Sequence, residues 1–487
     1  MLYILSFFLG AFNLLSFSPY NFKLAIIISF LYFFYVIEKS SLKEILIHSF
    51  LFGFAYFIFS TYWLYDVIIL YSNVNSISAY ILLTIFCVYL SLFIIFPSLI
   101  YFVSYKKLNN NFFALVLFSS SLTLFEILRA YLFSGFSWNN FGQVVLDTYF
   151  SSYLKIIGVY GCSLVILLLC VSIYCIKSKT RFSAIMFSLL LIIPFYENAL
   201  TFTKPHSNKV IIYGLQSNIK QESRWTKKSF TDAYNYYFET TKKIINDEND
   251  SNNYIIIWPE AAIPSLFKSY QPEIKKLYNE YGNNFDLIIG TFLKDEDKIY
   301  NSIINTKNND LYHKSHLVPF GEYMPLRNIF NFLYEKINVP MTDISSSSHS
   351  KKISSFGNDI QVSICYESIF QHINILDNKN IKFYLNVTND GWFGDTSAPV
   401  HHLDALRLRA IENERPFIRV ATTGISAFIN ENGEIISSLK LNKEGYIRIE
   451  VEPRTGKTFF TKYQNNTLFI IIFIIIFISF KKLKVDR

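Results

Sequence analysis

Charged residues are scarce in this chain of 487 residues, where Asp, Glu, Lys and Arg together make up 17% of the sequence. Soluble domains typically contain about 25% of these residues. The shortage is uneven, because residues 1–195 and 467–480 are dominated by apolar side chains whereas residues 203–463 have a soluble composition. The net charge of +8 is not gathered into one basic stripe, which argues against a nucleic-acid partner.

Cysteine is also rare, and only Cys365 among the five cysteines lies in the polar region, so a disulfide framework is excluded there. The other four lie in apolar segments, where a small buried side chain is the simplest interpretation: Cys87, Cys162, Cys170 and Cys175. No CxxC or Cys/His spacing indicates zinc. His401 and His402 are neighbours, and neighbouring histidines on a helix rarely both reach one ion. We therefore interpret His402 as a structural residue or as a residue that supports the active-site side chains, and we expect no metal or other cofactor.

Apolar runs recur along the first 195 residues. A membrane-crossing helix needs about 20 mostly apolar residues, and this criterion predicts eight spans, at residues 3–17, 22–37, 45–70, 79–104, 112–133, 154–176, 183–195 and 467–480. The first run lacks a basic n-region and an A-x-A cleavage site, so it is not typical of a signal peptide. We therefore predict an α-helical membrane bundle of about eight transmembrane helices, formed by residues 1–200 and a final helix at residues 467–480.

Lys and Arg are concentrated in alternate connections between these spans. The basic segments are residues 38–44, 105–111, 177–182 and the tail after residue 480, while the intervening loops hold almost none. The positive-inside rule places basic loops in the cytoplasm. Seven spans that begin inside then put residues 203–463 on the outer face of the membrane, and the eighth returns the tail to the cytoplasm.

Residues 203–463 alternate between strand-like and helix-like patterns. We predict strands at 210–215, 254–258, 287–293, 360–365, 381–387, 417–422 and 445–451, a hairpin at 426–436, and helices at 229–245 and 398–413. This alternation favours a layered α/β domain, in which functional side chains tend to follow strand ends. Glu260 and Cys365 both occupy such positions.

Three side chains of this region have the chemistry of acyl transfer. A thiolate at Cys365 can attack a carbonyl, a buried Glu260 can act as its general base, and Lys314 can stabilise an oxyanion. Each has a plainer interpretation: a buried strand cysteine, an exposed glutamate at a strand end, and a solvated surface lysine. The shaped segment around Lys314, residues 312–325 with Pro319 and Gly321, favours the functional one.

The motifs around these residues resemble a known family. Glu260 in WPE, Lys314 in YHKSHLVPFGEYMP and Cys365 in ICYE are similar to the Glu–Lys–Cys triad of the nitrilase (carbon–nitrogen hydrolase) superfamily. The runs NVTNDGWFG at 386–394 and HHLDALRLRA at 401–410 extend the match. With the predicted spans, the whole chain resembles the apolipoprotein N-acyltransferase family of bacterial envelopes.

The resemblance implies a nitrilase-like αββα sandwich at residues 203–463, on the periplasmic side of the bacterial inner membrane. It implies that Cys365 takes an acyl chain from a glycerophospholipid as a thioester and passes it to the amino group of a diacylglyceryl-cysteine apolipoprotein. It assigns supporting roles at the active site to Glu322, Tyr366 and Glu367. It assigns substrate or lipid binding to Trp225, Trp138 and Trp392.

Two other functions stay open on the residues alone. A membrane-tethered amidase or nitrilase would use the same triad with water as the acceptor. A transporter with an outer binding domain is the third possibility, although the predicted spans contain little charge besides Glu126 and Arg129. Those two residues form an i,i+3 ion pair or help to position the long loop that follows.

Overall fold

The computed structural model describes residues 2–71, 74–176, 181–195, 200–206, 209–248, 253–325, 344–347, 351–375 and 380–485. The chain divides into two units. One consists of Met1–Leu70, Val74–Thr201 and Thr458–Arg487, and the other of Tyr71–Asn73 and Phe202–Lys457. The domain limits at 200, 203 and 463 stay predictions. Residues 177–180 of one basic segment and Arg487 of the basic tail lie outside the described residues.

The first unit is built of α-helices. Their bounds are Leu2–Phe12, Leu24–Lys39, Leu42–Ser60, Trp63–Tyr71, Ser76–Leu108, Asn111–Arg129, Leu154–Cys175, Arg181–Phe195, Phe459–Tyr463 and Asn466–Val485. Polar residues cap several of them: Glu44 accepts from the main-chain N–H of Ser41 at 2.8 Å, and Asn75 accepts from that of Ser78 at 2.8 Å. Such caps satisfy amide groups that the first turn of a helix leaves without partners.

Four helical segments of the described residues are long and apolar enough to cross a membrane: Leu42–Ser60, Ser76–Leu108, Asn111–Arg129 and Tyr149–Cys175. Shorter apolar helices cover Leu2–Ser16, Phe182–Ile192 and Asn466–Ser479. The helical membrane region is therefore confirmed in outline, and the count of eight crossings stays a prediction.

One predicted span is wrong as a continuous helix. Residues 45–70 were expected to form a single span, but the helix ends at Ser60 and a second one begins at Trp63. The hydroxyls of Ser60 and Thr61 donate to the carbonyl of Phe57 at 3.2 and 2.8 Å. Side-chain hydroxyls that bond to backbone carbonyls in this way compete with helix continuation, which apolar run length does not reveal.

The second unit is an α/β fold. Its helices are Lys227–Asp247, Gln271–Tyr281 and Ala398–Asn413. Its strands are β1 (Thr203–Pro205), β2 (Val210–Gln216), β3 (Tyr254–Trp258), β4 (Phe285–Asp295), β5 (Lys298–Asn305), β6 (Leu311–His313), β7 (Lys352–Ser355), β8 (Asn358–Ile364), β9 (Ile381–Thr388), β10 (Phe417–Ala421), β11 (Ser426–Ile429), β12 (Ile435–Leu439), β13 (Gly445–Val451) and β14 (Arg454–Gly456). Both helices and the hairpin predicted from the sequence are present.

Two six-stranded sheets dominate this unit, in the orders β13-β2-β3-β4-β5-β6 and β12-β11-β10-β9-β8-β7. Strands β2, β3 and β4 are parallel, as are β8, β9 and β10. The carboxyl ends of parallel strands lie at one edge of a sheet. Strand β3, which precedes Glu260, and strand β8, which precedes Cys365, are both among these parallel strands.

The sheets pack face to face through β-branched and aromatic side chains. Ile255 and Ile257 of one sheet share a fully buried core with Val362 and Leu385 of the other. Helices Lys227–Asp247 and Gln271–Tyr281 pack on the outer face of the first sheet, and Ala398–Asn413 packs on that of the second. The layer order is therefore helix, sheet, sheet, helix.

Candidate active site

Glu260 follows strand β3 and is only 7% exposed. Its Oε1 accepts from the Asn301 side chain at 2.7 Å and its Oε2 accepts from the main-chain N–H of Asn389 at 2.7 Å. Burial raises the pKa of this carboxyl above its usual value, while Lys314, Asn301 and Arg224 act in the opposite direction. A raised pKa makes this carboxylate a better proton acceptor.

Lys314 follows strand β6 and is 1% exposed. Its Nζ donates to Glu322 Oε1 at 2.9 Å and lies 3.8 Å from Glu260 Oε1. Burial alone would lower the pKa of Lys314, but the two carboxylates hold it well above its usual value. The lysine therefore stays charged, as a group that stabilises an oxyanion must.

Glu322 is the second carboxylate that holds the lysine. Its Oε2 accepts from the main-chain N–H of Val318 at 2.8 Å, so both carboxylate oxygens have partners. The Asn301 amide also reaches Glu322 Oε1 at 3.3 Å. Asn301 thus bridges Glu260 and Glu322, and holds the two acids around one ammonium group.

Cys365 begins a short 3₁₀ turn, Cys365–Ile369, directly after strand β8. Its φ of +50° lies in the left-handed region, which a non-glycine residue adopts only at a cost. The thiol is 7% exposed. Burial and the charge of Glu260 raise its pKa, and Lys314 lowers it. The resting sulphur is therefore a thiol that needs a base, and Glu260 is close enough to influence its ionisation.

Glu367 joins the lysine segment to the cysteine turn. Its Oε1 accepts from the Tyr312 hydroxyl at 2.7 Å and from the main-chain N–H groups of Ser315 and His316 at 2.8 and 3.0 Å. Its Oε2 accepts from the main-chain N–H of Ile364 at 2.8 Å. The fully buried carboxylate therefore sets the position of Lys314 relative to Cys365.

Tyr366 follows Cys365 in the chain and is half-buried. Its ring lies 4.9 Å from that of Phe370 and 6.0 Å from that of His316, measured between centroids. The described residues contain no group of three or more His, Cys, Asp and Glu side chains arranged to hold a metal ion. The chemistry of the site is that of a buried thiol with an acid–base partner and a fixed cation.

Two family models match the chain. Residues 9–172 match the apolipoprotein N-acyltransferase N-terminal domain, and residues 232–458 match the carbon–nitrogen hydrolase domain. The second match contains Glu260, Lys314 and Cys365.

Curated relatives match nearly the whole chain. The apolipoprotein N-acyltransferase of Coxiella burnetii is 30% identical over 98% of this chain and 99% of its own length. That of Wigglesworthia glossinidia brevipalpis is 32% identical over 97% of this chain and 96% of its own length. The chain belongs to the apolipoprotein N-acyltransferase family. The long apolar helices and the family membership together identify it as a membrane protein, and the family membership identifies it as an acyltransferase.

Among solved structures, Nit3 from Saccharomyces cerevisiae, a member of branch 10 of the nitrilase superfamily, aligns with 52% of the chain at 18% identity and a TM-score of 0.37. The alignment covers 93% of Nit3.

The three tryptophans expected to bind lipid in this N-acyltransferase have different surroundings. Trp225 is 62% exposed, and its ring lies 5.9 Å from that of Phe292. Trp392 is half-buried and lies 4.5 Å from the ring of Tyr71, which is grouped with the second unit. Trp138 belongs to the helical unit and is buried against Trp63 at 4.8 Å. Only Trp225 offers a largely exposed indole.

The segment that holds Trp138 is anchored by the two charged residues singled out in the sequence. Arg129 lies 3.8 Å from Glu126 and donates to the Trp138 carbonyl at 3.0 Å. Glu126 accepts from the main-chain N–H of Phe141 at 2.8 Å. Both interpretations therefore hold: the residues form an ion pair, and they position the loop.

Several residues around the base of this N-acyltransferase were not predicted. Asn301 lies within strand β5, and no motif distinguishes it. Arg224, next to Trp225, is buried and donates to the carbonyls of Glu260 and Ala261, at 3.1 Å to the former. Asn389 belongs to the quoted NVTNDGWFG run, which was a usable signal, although its contribution to Glu260 is a main-chain N–H that a motif does not reveal.

Proposed function

We propose that this N-acyltransferase carries an acyl chain from a glycerophospholipid to the α-amino group of a diacylglyceryl-cysteine apolipoprotein, through a thioester at Cys365. The observation that supports this assignment most is the burial of one thiol beside a carboxylate and a fixed ammonium group, in a chain of this family. Glu260, Lys314 and Cys365 are the proposed catalytic residues.

In the first half-reaction the Glu260 carboxylate accepts the proton of the Cys365 thiol, and the thiolate attacks the ester carbonyl of the phospholipid. The negative charge that develops on the carbonyl oxygen is stabilised by Lys314. Collapse of the tetrahedral intermediate breaks the ester C–O bond. The leaving glycerol oxygen takes the proton back from Glu260, which gives a lysophospholipid and the Cys365 thioester.

In the second half-reaction the amino group of the apolipoprotein cysteine attacks the thioester carbonyl. Glu260 accepts a proton from the attacking nitrogen, and Lys314 again faces the oxyanion. The C–S bond breaks, the amide forms, and the departing sulphur takes the proton from Glu260. Atoms and charges balance over the two steps, and the resting thiol is restored.

Glu322, Tyr366 and Glu367 are proposed to support this chemistry. Glu322 keeps Lys314 charged and in place across 2.9 Å. Glu367 holds the lysine segment against the cysteine turn through its bonds to Ser315 and Ile364. Tyr366 borders the thiol from the next position in the chain.

Trp225, Trp138 and Trp392 are proposed to contact the lipid substrates. An exposed indole such as Trp225 suits a site where an apolar chain meets water. Both substrates keep their acyl chains in the bilayer, and withdrawing a chain into water costs about 0.8 kcal/mol per methylene. A membrane-embedded enzyme avoids that cost.

The proposed location is the bacterial inner membrane, crossed eight times, with residues 203–463 on the periplasmic side. The alternation of basic loops and the shorter apolar helices support this topology. Cysteines introduced at the exposed positions Lys228 and Lys107 test it. A membrane-impermeant maleimide applied to intact spheroplasts is expected to label Lys228→Cys alone, and labelling of Lys107→Cys alone would reverse the topology.

The activity is tested with the full chain purified in detergent. The protein is incubated with phospholipid and a synthetic diacylglyceryl-cysteine lipopeptide, and the lipopeptide mass is compared with that from a Cys365→Ala control. A gain of one acyl chain that the control lacks is expected. Release of free fatty acid without acylated peptide would indicate a tethered hydrolase instead. Folded protein with no chemistry would favour the transporter interpretation.

A further inference from the structure

Behind the nucleophile lies a group of buried polar side chains that the proposed reaction does not use. We call Ser368, Thr388, Asp390, His402 and Arg419 the rear polar cluster; each is at most 1% exposed. They come from the cysteine turn, the end of strand β9 and the segment after it, helix Ala398–Asn413 and strand β10. Burial of so many polar groups is costly unless they bond to one another, and here they do.

The rear polar cluster contacts the main chain of the nucleophile. His402 Nε2 lies 3.1 Å from the Cys365 carbonyl oxygen, and the Ser368 hydroxyl donates to the same oxygen at 2.9 Å. Because Cys365 has a left-handed φ of +50°, its peptide needs surroundings that fix it. The Ser368 hydroxyl, from within the turn, and the His402 imidazole, from helix Ala398–Asn413, supply that constraint at the Cys365 carbonyl, and the two groups lie 2.7 Å apart.

The imidazole of His402 is itself held in place. Its Nδ1 lies 3.0 Å from Asp390 Oδ1 and 3.2 Å from Arg419 Nη2. This nitrogen therefore has an acceptor and a donor beside it, and has a partner with or without a proton. When Nδ1 accepts from Arg419, Nε2 carries the proton and is the donor that faces the Cys365 carbonyl at 3.1 Å and the Ser368 hydroxyl at 2.7 Å. Arg419 also donates to Asp390 and, at 3.2 Å, to Asn386 Oδ1.

Arg419 also balances the charge behind the thiol. Burial alone would raise the pKa of Asp390, but Arg419 and His402 hold it well below its usual value. The ionised Asp390 in turn raises the pKa of Cys365, whereas the Thr388 hydroxyl lowers it. Asp390 orients His402. Because Asp390 is paired with Arg419, the positive charge of the arginine offsets the repulsion between Asp390 and a thiolate at Cys365.

We propose that His402, held by Asp390 and Arg419, is a positioning residue for the nucleophile, which fixes the Cys365 peptide so that its sulphur stays beside Glu260 and Lys314. The proposal rests on the proposed function, since it assigns His402 a part in forming the Cys365 thioester. It differs from a purely structural role because it predicts a change in thiol reactivity without loss of the fold.

Two amide substitutions separate the contacts of His402. Gln places its terminal nitrogen where Nε2 lies and retains the bond to Cys365, whereas Asn reaches only the Nδ1 position and retains the contact with Asp390. The matched control is His401→Leu, which alters the neighbouring buried histidine of the same helix. All variants are made in the full chain, and thermal unfolding is recorded for each.

The first measurement is the rate of Cys365 alkylation by iodoacetamide as a function of pH, followed by peptide mass spectrometry, which needs no lipid substrate. The second is the rate of Cys365 acylation by phospholipid. We expect His402→Asn to slow both by about tenfold, the order of one buried hydrogen bond. His402→Gln and His401→Leu are expected to remain within about threefold of the unaltered protein.

Equal rates for His402→Asn and His402→Gln, whether both slow or both unchanged, would overturn the positioning role. If His402→Asn does not fold, Ser368→Ala removes the other donor to the Cys365 carbonyl, and an unchanged alkylation rate in that variant would overturn it as well. If the unaltered protein is alkylated at Cys365 but never acylated there, the proposed function fails, and the alkylation rates still decide the role of His402.

Discussion

The Oε1 atom of Glu367 lies 2.8 Å from the main-chain nitrogen of Ser315, one residue after Lys314. The same side chain accepts from Ile364, one residue before Cys365. A single buried carboxylate thus links the two segments that present the cation and the nucleophile. This link gives the site its geometry before any substrate binds.

Glu367→Ala is expected to lower the rate of Cys365 acylation by at least about 100-fold and to destabilise the fold by roughly 2–4 kcal/mol, because several buried donors lose their acceptor. Glu367→Gln keeps one carbonyl oxygen as an acceptor, so we expect a smaller loss of acylation rate and a smaller loss of stability. The checks are the acylation rate at a temperature where each variant is folded and the free energy of unfolding. Full activity in folded Glu367→Ala would contradict the link.

Glu322→Gln is expected to move the acidic limb of the pH–rate profile to lower pH. The negative charge of Glu322 raises the pKa of Lys314 and also that of Glu260. Its removal lets Lys314 lose its proton at a lower pH and lets Glu260 become a base at a lower pH. Profiles of Cys365 acylation between pH 4 and pH 8 measure the acidic limb, where Lys314 stays charged in the unaltered protein. An acidic limb that does not move to lower pH would contradict the effect of Glu322 on Glu260.

Arg224→Met is expected to move only the acidic limb, and in the opposite direction. Arg224 lowers the pKa of Glu260, so its loss raises that pKa, and activity should disappear at a higher pH than in the unaltered protein. Arg224→Lys keeps the positive charge but cannot donate to the carbonyls of both Glu260 and Ala261. It should therefore lower the acylation rate while the acidic limb of the pH–rate profile moves little. Lys228→Met, at an exposed position, is the control. An unmoved acidic limb in Arg224→Met would exclude this electrostatic effect.

Gly290→Ala tests how closely strand β4 supports the base. A Cβ at Gly290 would lie 2.3 Å from the Pro259 carbonyl oxygen and 2.8 Å from Glu260 Cα. We expect about 1–3 kcal/mol of destabilisation together with a fall of at least about tenfold in acylation by the folded protein. In the control Gly214→Ala, the new Cβ meets the Val420 side chain at 2.9 Å, and the folded protein should keep its activity. Equal activity in the two variants would argue against a displaced Glu260.

The sequence predicts the parts of this site that depend on the periodicity of residues close together in the chain. The strands predicted at 254–258 and 360–365 placed Glu260 and Cys365 at strand ends, although the second strand ends at Ile364. The helical spacing of residues 398–413 predicted the helix that carries His402. Such periodicity is a property of neighbouring residues, so it needs no knowledge of the rest of the chain.

The partners that tune the site depend on contacts between distant segments. Asn301 reaches Glu260 because the β4–β5 hairpin brings Asn301 opposite Phe292, a register that composition does not fix. Arg224 bonds to a main chain 36 residues later. The break at Ser60 likewise depends on individual hydroxyl bonds to one carbonyl, which are invisible to a count of apolar residues.

The central claim is that Cys365 carries the acyl group, and the intact mass of the protein tests it directly. The purified chain is incubated with a phospholipid of one defined acyl composition and no acceptor, and then with the lipopeptide. We expect a mass gain of one acyl chain on the peptide that contains Cys365, its removal by hydroxylamine, its transfer to the lipopeptide, and its absence in Cys365→Ala. Acylated lipopeptide formed at an undiminished rate by Cys365→Ala would contradict it.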